Sequence, residues 1–182
     1  MRHLILVIAG FLVFNGTISA QIFYAENGDV VFLSKVPLHD FEGSSSNLVG
    51  MINLNENVLD FYLDLETLDT GNGKRDKDMK LTLETDEYPF AEFYGTLAST
   101  FDINNPEPQV AIAKGDFKIH GEMQEVEIEG TLQKTDQGLL LKAAWILNLD
   151  DYKIKPPRLL IVKVDENQEI EIEILLTPYE GE

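Results

Sequence analysis

Hydrophobic and polar residues alternate along most of the chain. Leu59, Phe61, Leu63 and Leu65 alternate with Asp60, Tyr62, Asp64 and Glu66. Val126, Ile128 and Leu132 stand against Glu125, Glu127, Glu129 and Thr131. Ile170, Ile172, Ile174 and Leu176 stand against Glu169, Glu171 and Glu173. A period of two is that of a strand with one buried face and one wet face. Further strand-like runs are Val30–Val36, Leu48–Leu54, the stretch holding Phe93, Leu97 and Phe101, Phe117–Ile119, Leu139–Leu149 around Trp145, and Leu159–Val164. Turn residues separate these runs at Asn27-Gly28-Asp29, Asn55-Glu56-Asn57, Asn104-Asn105-Pro106, Gln137-Gly138 and Asp165-Glu166-Asn167. Short connections favour antiparallel hairpins. Some eight or nine strands without a βαβ rhythm predict an all-β sandwich or barrel.

One segment departs from the alternation. Leu68 to Asp76 reads as a loop with two glycines, Gly71 and Gly73. Arg75–Leu83 then predicts two helical turns with Met79 and Leu83 on one face, ended by Tyr88-Pro89. A helix there would cap one end of a barrel.

The first twenty residues follow a different logic. Met1-Arg2-His3 is a short basic start, Leu4 to Phe14 is apolar apart from Gly10, and Ile18-Ser19-Ala20 ends in small residues. That order is a secretory signal peptide cleaved after Ala20, leaving 21–182 as the mature domain, periplasmic or secreted. The apolar run is short for a membrane span. There is no cysteine. Disulfides, thiolate metal sites and cysteine nucleophiles are therefore excluded, and so is the acylated cysteine that tethers a bacterial lipoprotein. No stable membrane anchor is expected.

Charge narrows the partners. The 182 residues carry 14 Lys+Arg against 32 Asp+Glu, a net charge of −18. An acidic chain of this kind does not bind a phosphate backbone, so no nucleic-acid partner is expected. Much of the acidity, such as Glu125/Glu127/Glu129 and Glu169/Glu171/Glu173, lies on the wet faces of strands, where it blunts edges.

Residues with chemistry are sparse. The histidines beyond the leader, His39 and His120, lie far apart and show no metal-ligand spacing. The loop Asp69-Thr70-Gly71-Asn72-Gly73 lacks the closing glutamate of a calcium loop, since Lys80 stands there. Ser44, Ser45 and Ser46 are read as a polar loop with no G-x-S-x-G elbow. Neither an enzyme nor a metal or other cofactor is expected.

Several fragments in order resemble one family. Val31-Phe32-Leu33-Ser34 with Pro37-Leu38 and Gly43, and Asn47 to Ile52, resemble the first two strands of the YceI-like family of exported polyisoprenoid-binding proteins. Arg75 to Met79, then Tyr88-Pro89 and Ala91-Glu92-Phe93-Tyr94-Gly95, resemble its central signature. Gly115-Asp116-Phe117-Lys118-Ile119-His120-Gly121 resembles its G-x-(L/F)-x-I-H-G motif, and Leu149 to Ile154 with Pro156 or Pro157 its closing element. Two stretches differ from the family pattern: Glu122 to Glu125 after the His-Gly pair, and Asp78 where a histidine is frequent.

The resemblance implies an extended eight-stranded antiparallel lipocalin-like barrel with a short helix near one mouth. It implies a bound isoprenoid lipid or prenyl quinone, carried or sequestered. Barrels of this family can dimerise, so a homodimer is open to this chain as well. The ligand-binding surface is then expected from Leu59, Phe61, Leu63, Leu65, Phe93, Leu97, Phe117, Ile119, Val126, Ile128, Trp145, Ile170 and Ile172. Arg75, Asp76, Met79 and Tyr88 are expected at the mouth or lid. The alternative is a barrel filled by its own side chains that acts as an envelope or stress interaction protein through its acidic surface.

Overall fold

The computed structural model describes residues 21–35, 40–156, 158–159 and 162–179. The leader sequence and His39 lie outside them. Eight long strands form the body: β1 (Ile22–Ser34), β2 (Phe41–Asn53), β3 (Val58–Asp64), β4 (Phe90–Leu97), β5 (Gln109–Ile119), β6 (Glu122–Lys134), β7 (Leu139–Asn148) and β10 (Asn167–Pro178). All pair antiparallel and close into a barrel in the order β1-β10-β7-β6-β5-β4-β3-β2. Each strand follows its predecessor around the ring, and β10 closes it against β1. The expected barrel is therefore present.

The alternation reads out as expected along β3, where Leu59, Phe61 and Leu63 are buried and Asp60 and Tyr62 exposed. Register aligns the inward residues into rows. Phe61 faces Phe93, and Phe93 faces Phe117, so an aromatic row crosses β3, β4 and β5. Next to it Gly95 pairs with Gly115. A Cβ on Gly95 would stand 2.8 Å from the Gly115 Cα, so this close strand approach excludes a side chain.

The boundaries differ from the sequence reading in several places. Phe101, expected to continue the strand of Phe93 and Leu97, lies beyond β4, which ends at Leu97. The turn expected at Asn27-Gly28-Asp29 is an irregularity within β1, where register shifts against both β2 and β10. A bulge tolerates the same residues as a turn, because both need a local break in pairing. Ser44 to Ser46 belong to β2 and not to a loop. Leu159–Val164 adds no barrel strand: β8 (Arg158–Leu159) and β9 (Val162–Lys163) pair only with each other.

The helix α1 (Gly73–Leu83) lies where a helix was expected and starts two residues earlier. Asn72 caps it by accepting from the N–H groups of Lys74 and Arg75, at 3.1 and 3.2 Å. Glu84 ends it in a left-handed conformation, φ 51°. His120 and Gly121 form the β5–β6 turn, both with positive φ, as a two-residue hairpin connection requires. The His120 ring then ties three elements together. Its Nδ1 stands 3.1 Å from the Tyr152 carbonyl oxygen, its Nε2 3.2 Å from Glu84 Oε2, and its ring packs on Tyr88. This histidine is part of the scaffold.

Candidate ligand-binding cavity

The interior is filled at one end and hollow at the other. Phe23, Leu139, Ile174 and Leu176 are between 0% and 1% exposed and fill the end opposite α1. From there toward α1 runs a cavity of about 750 Å³, within the range of small-molecule sites. Its floor is Ile52, Leu97 and Leu132. Small inward residues make the room: Ala91, Ala111, Ala113, Gly130 and Ala143 all line it. The β6–β7 ladder also runs only from Gly130↔Ala143 to Lys134↔Leu139. Toward α1 the near half of β6 is instead held by a single-turn 3-10 helix at Leu149–Tyr152, whose Asp151 carbonyl accepts from Gln124 Nε2 at 2.9 Å.

Twelve of the expected ligand-binding residues line this cavity: Leu59, Phe61, Leu63, Leu65, Phe93, Leu97, Phe117, Ile119, Ile128, Trp145, Ile170 and Ile172. Val126 does not; it packs half-buried against the core. Phe117 organises the aromatic part of the wall, with its ring 6.1 Å from Trp145 and 5.7 Å from Tyr152. Burial pushes the Tyr152 phenol up to about 12, because an apolar surrounding disfavours the phenolate.

At the mouth the expectations divide. Arg75 and Met79 line the cavity, together with Asn72, Lys74, Asp78, Thr82 and Leu83. Arg75 lies over the Phe41 ring at 4.5 Å. Asp76 does not reach the cavity. The step of about 100° from Arg75 to the next residue of the helix carries it to the outer side, where Thr70 donates to it from N at 2.9 Å and from Oγ1 at 2.6 Å. These two bonds hold its carboxyl below the usual aspartate range. Tyr88 is not at the mouth either. Its hydroxyl bonds Glu87 at 2.8 Å, and its ring packs on His120. Asp78, in the position where the family often has histidine, borders the cavity and pairs with Lys74 at 3.4 Å.

Other wall residues escaped the sequence reading. Ala111 and Ala113 follow from extending the parity of Phe117 back along β5, Ala91 from that of Phe93, Gly130 from that of Ile128 and Ala143 from that of Trp145. Ser34 and Gln168 line the cavity as polar residues on inward positions, and no hydrophobicity pattern marks them.

The family comparison meets this geometry directly. The model of the YceI-like domain matches residues 24–176. The chain belongs to the YceI-like family. A search of curated proteins gave no match. Among solved structures, a polyisoprenoid-binding domain from Saccharophagus degradans implicated in plant cell wall breakdown has TM-score 0.75 at 13% identity, covering 88% of this chain and 100% of its own. BcnA of Burkholderia cenocepacia has TM-score 0.65 at 12% identity, covering 82% and 96%. The Campylobacter jejuni YceI protein has TM-score 0.56 at 12% identity over the whole of both chains. At such identities these likenesses establish the fold, and the YceI-like barrel here shares it.

Proposed function

We propose that this YceI-like barrel is an exported binding protein that carries or sequesters a long-chain isoprenoid lipid or prenyl quinone in its cavity. The observation behind the reading is the hollow half: about 750 Å³ walled by aliphatic and aromatic side chains, with charge confined to α1 at its mouth. A barrel filled throughout does not fit that cavity. The polyisoprenoid-binding description of the Saccharophagus degradans domain points to the same ligand class. Burial supplies about 0.8 kcal/mol per CH₂, nominally roughly 30 kcal/mol for a forty-carbon chain. Ordering costs hold real affinities to about 18–21 kcal/mol, so such a cavity favours capture while affinity does not track chain length. The chemistry asked of the protein is burial of hydrocarbon, and binding is its activity.

Organic extraction followed by mass spectrometry tests the reading. Protein incubated with a mixed isoprenoid pool should release a prenyl compound in near-stoichiometric amount. Empty extracts after that incubation would overturn it. Export is tested separately by intact mass: the product recovered from periplasm or medium should begin at Gln21, and retention of residues 1–20 would overturn the leader assignment.

A further inference from the structure

The hollow has a closed end, and that end sets a length. Phe23, Leu139, Ile174 and Leu176 fill the barrel beyond Leu132, and none of them lines the cavity. A hydrocarbon chain entering from the α1 side therefore stops at Leu132, which is 1% exposed. Along β5 the wall runs from Ala111 to Ile119. A rise of about 3.3 Å per residue makes this stretch roughly 26 Å long, and a barrel tilt of about 40° leaves roughly 20 Å of depth. An extended chain advances about 1.2 Å per backbone bond, so an isoprene unit with its four backbone bonds takes about 5 Å. The depth then holds about four units. Volume gives a second measure. At about 30 Å³ for each heavy atom, the cavity of about 750 Å³ holds about 25 carbons, or five units.

One row of the wall stands directly above the floor. Register places Ala111 beside Gly130 and Gly130 beside Ala143, and all three line the cavity. The next inward residue of β6 is Leu132, in the floor. The deepest open row thus carries the smallest side chains. Gly130 has no room for a larger one, because a Cβ there would collide with the Lys142 carbonyl oxygen. Ala111 and Ala143 are left as the two positions in this row where a longer side chain would raise the floor.

We propose that this barrel gauges chain length: it houses four to five isoprene units, and Ala111 and Ala143 are the specificity-determining residues that set the limit. This rests on the isoprenoid reading and specifies its ligand as a chain of 20 to 25 buried carbons. Each unit up to the limit gains burial. Units beyond it stay outside the mouth at α1 and add nothing to retention.

A series of prenyl alcohols from C10 to C40 tests this. Loaded protein is mixed with excess phosphatidylcholine vesicles, and release is followed by the fluorescence of Trp145, the single tryptophan, which lines the cavity. In wild type, release should slow at least about tenfold with each added unit up to C20 or C25. Between C30 and C40 the rates should agree within about twofold. Ala111→Phe adds a ring of six carbons at the deepest open row, so the length at which release stops slowing should drop by one unit. Ala143→Leu should move it the same way and decides the point if Ala111→Phe does not fold. The wild-type series stands without either variant. Release that still slows from C30 to C40 would overturn the gauge and leave the isoprenoid reading standing. So would an unchanged stopping length in a folded variant, or a folded variant that takes up no chain at all, since neither places Ala111 and Ala143 at the far end of the ligand. Failure of wild type to load any prenol would remove the isoprenoid reading, and the gauge with it.

Discussion

The two halves of β10 carry the same sequence pattern and do different work. Ile170, Ile172, Ile174 and Leu176 all point inward, and glutamates alternate with the first three. Ile174 and Leu176 are almost fully buried, at 1% and 0%. Ile170 and Ile172 are only half-buried, although they face the same interior, because they border a hollow. β7 repeats the contrast, with Leu139 buried and Leu141, Ala143 and Trp145 half-buried. On these two strands, partial exposure at inward positions reflects the hollow they border. The filled end holds the fold together, and the hollow end is free to specialise.

Truncation on either side of that divide gives the largest expected effect. Leu176→Ala opens a void in a filled region and should cost about 2–5 kcal/mol. Ile172→Ala enlarges a space that already exists, so it should cost at most about 1–2 kcal/mol. Urea unfolding midpoints at unchanged slope would measure both. Equal costs would mean that the two halves of β10 are packed alike.

Next in size is a polar probe in the wall. Leu63 is 6% exposed and lines the cavity. In Leu63→Gln the amide meets hydrocarbon when the cavity is loaded and water when it is empty. The loaded state should lose about 1–3 kcal/mol, a roughly tenfold to hundredfold loss of lipid retention. The empty protein should keep its strand content and most of its melting temperature. Unfolding of the empty variant would place Leu63 in a filled core.

How much of this was readable beforehand follows from the same contrast. Period-two alternation tells inside from outside, so the barrel and the inward set from Leu59 to Ile172 were legible. It cannot tell wall from floor, because Ile172 and Ile174 look identical in one dimension. The hollow depends on residues without a hydrophobic signature: Ala111, Ala113 and Gly130, and the short β6–β7 ladder. Asp76 and Tyr88 belong to the family-like segments around the helix, and those segments alone do not say which side each residue faces. The helical repeat turns Asp76 away, and Tyr88 is claimed by the His120 ring. Asn27-Gly28 misled because bulges and turns share residue preferences.

The mouth helix sharpens the comparison on a smaller scale. Leu83 is the buried residue of α1, whereas β6 lies in the barrel ladder along its length with β5. Few buried contacts mean a low cost of local opening. Amides of residues 76–83 should therefore exchange at least about tenfold faster than those of 124–132. Equal protection would make α1 a fixed wall and remove it as a gate for ligand entry.

The smallest effect expected is an acid response confined to the hollow end. Two carboxylates tie the outer side of α1 to neighbouring segments. Asp76 accepts from Thr70, first from the hydroxyl and then from the backbone N–H, and its pKa is lowered. Glu66 accepts from Thr85, then from Lys80, and its pKa is lowered too. A carboxyl whose folded pKa is depressed gives stability that is present above its unfolded value, near 3.9 for Asp and 4.3 for Glu. That stability is lost as the pH falls through the lower folded value. Both groups are solvent-accessible, so the change should be local and small. The Thr70 amide should lose protection as the pH drops below about 4, while amides flanking Leu139 and Leu176 stay protected, since the side chains packed there are apolar. In Asp76→Asn the amide oxygen still accepts from Thr70 but does not titrate there, so Thr70 protection should become flat with pH over that range. A Thr70 amide that titrates identically in Asp76→Asn would assign the response to Glu66 alone, and simultaneous loss at Leu139 would show that the two ends of the barrel open as one.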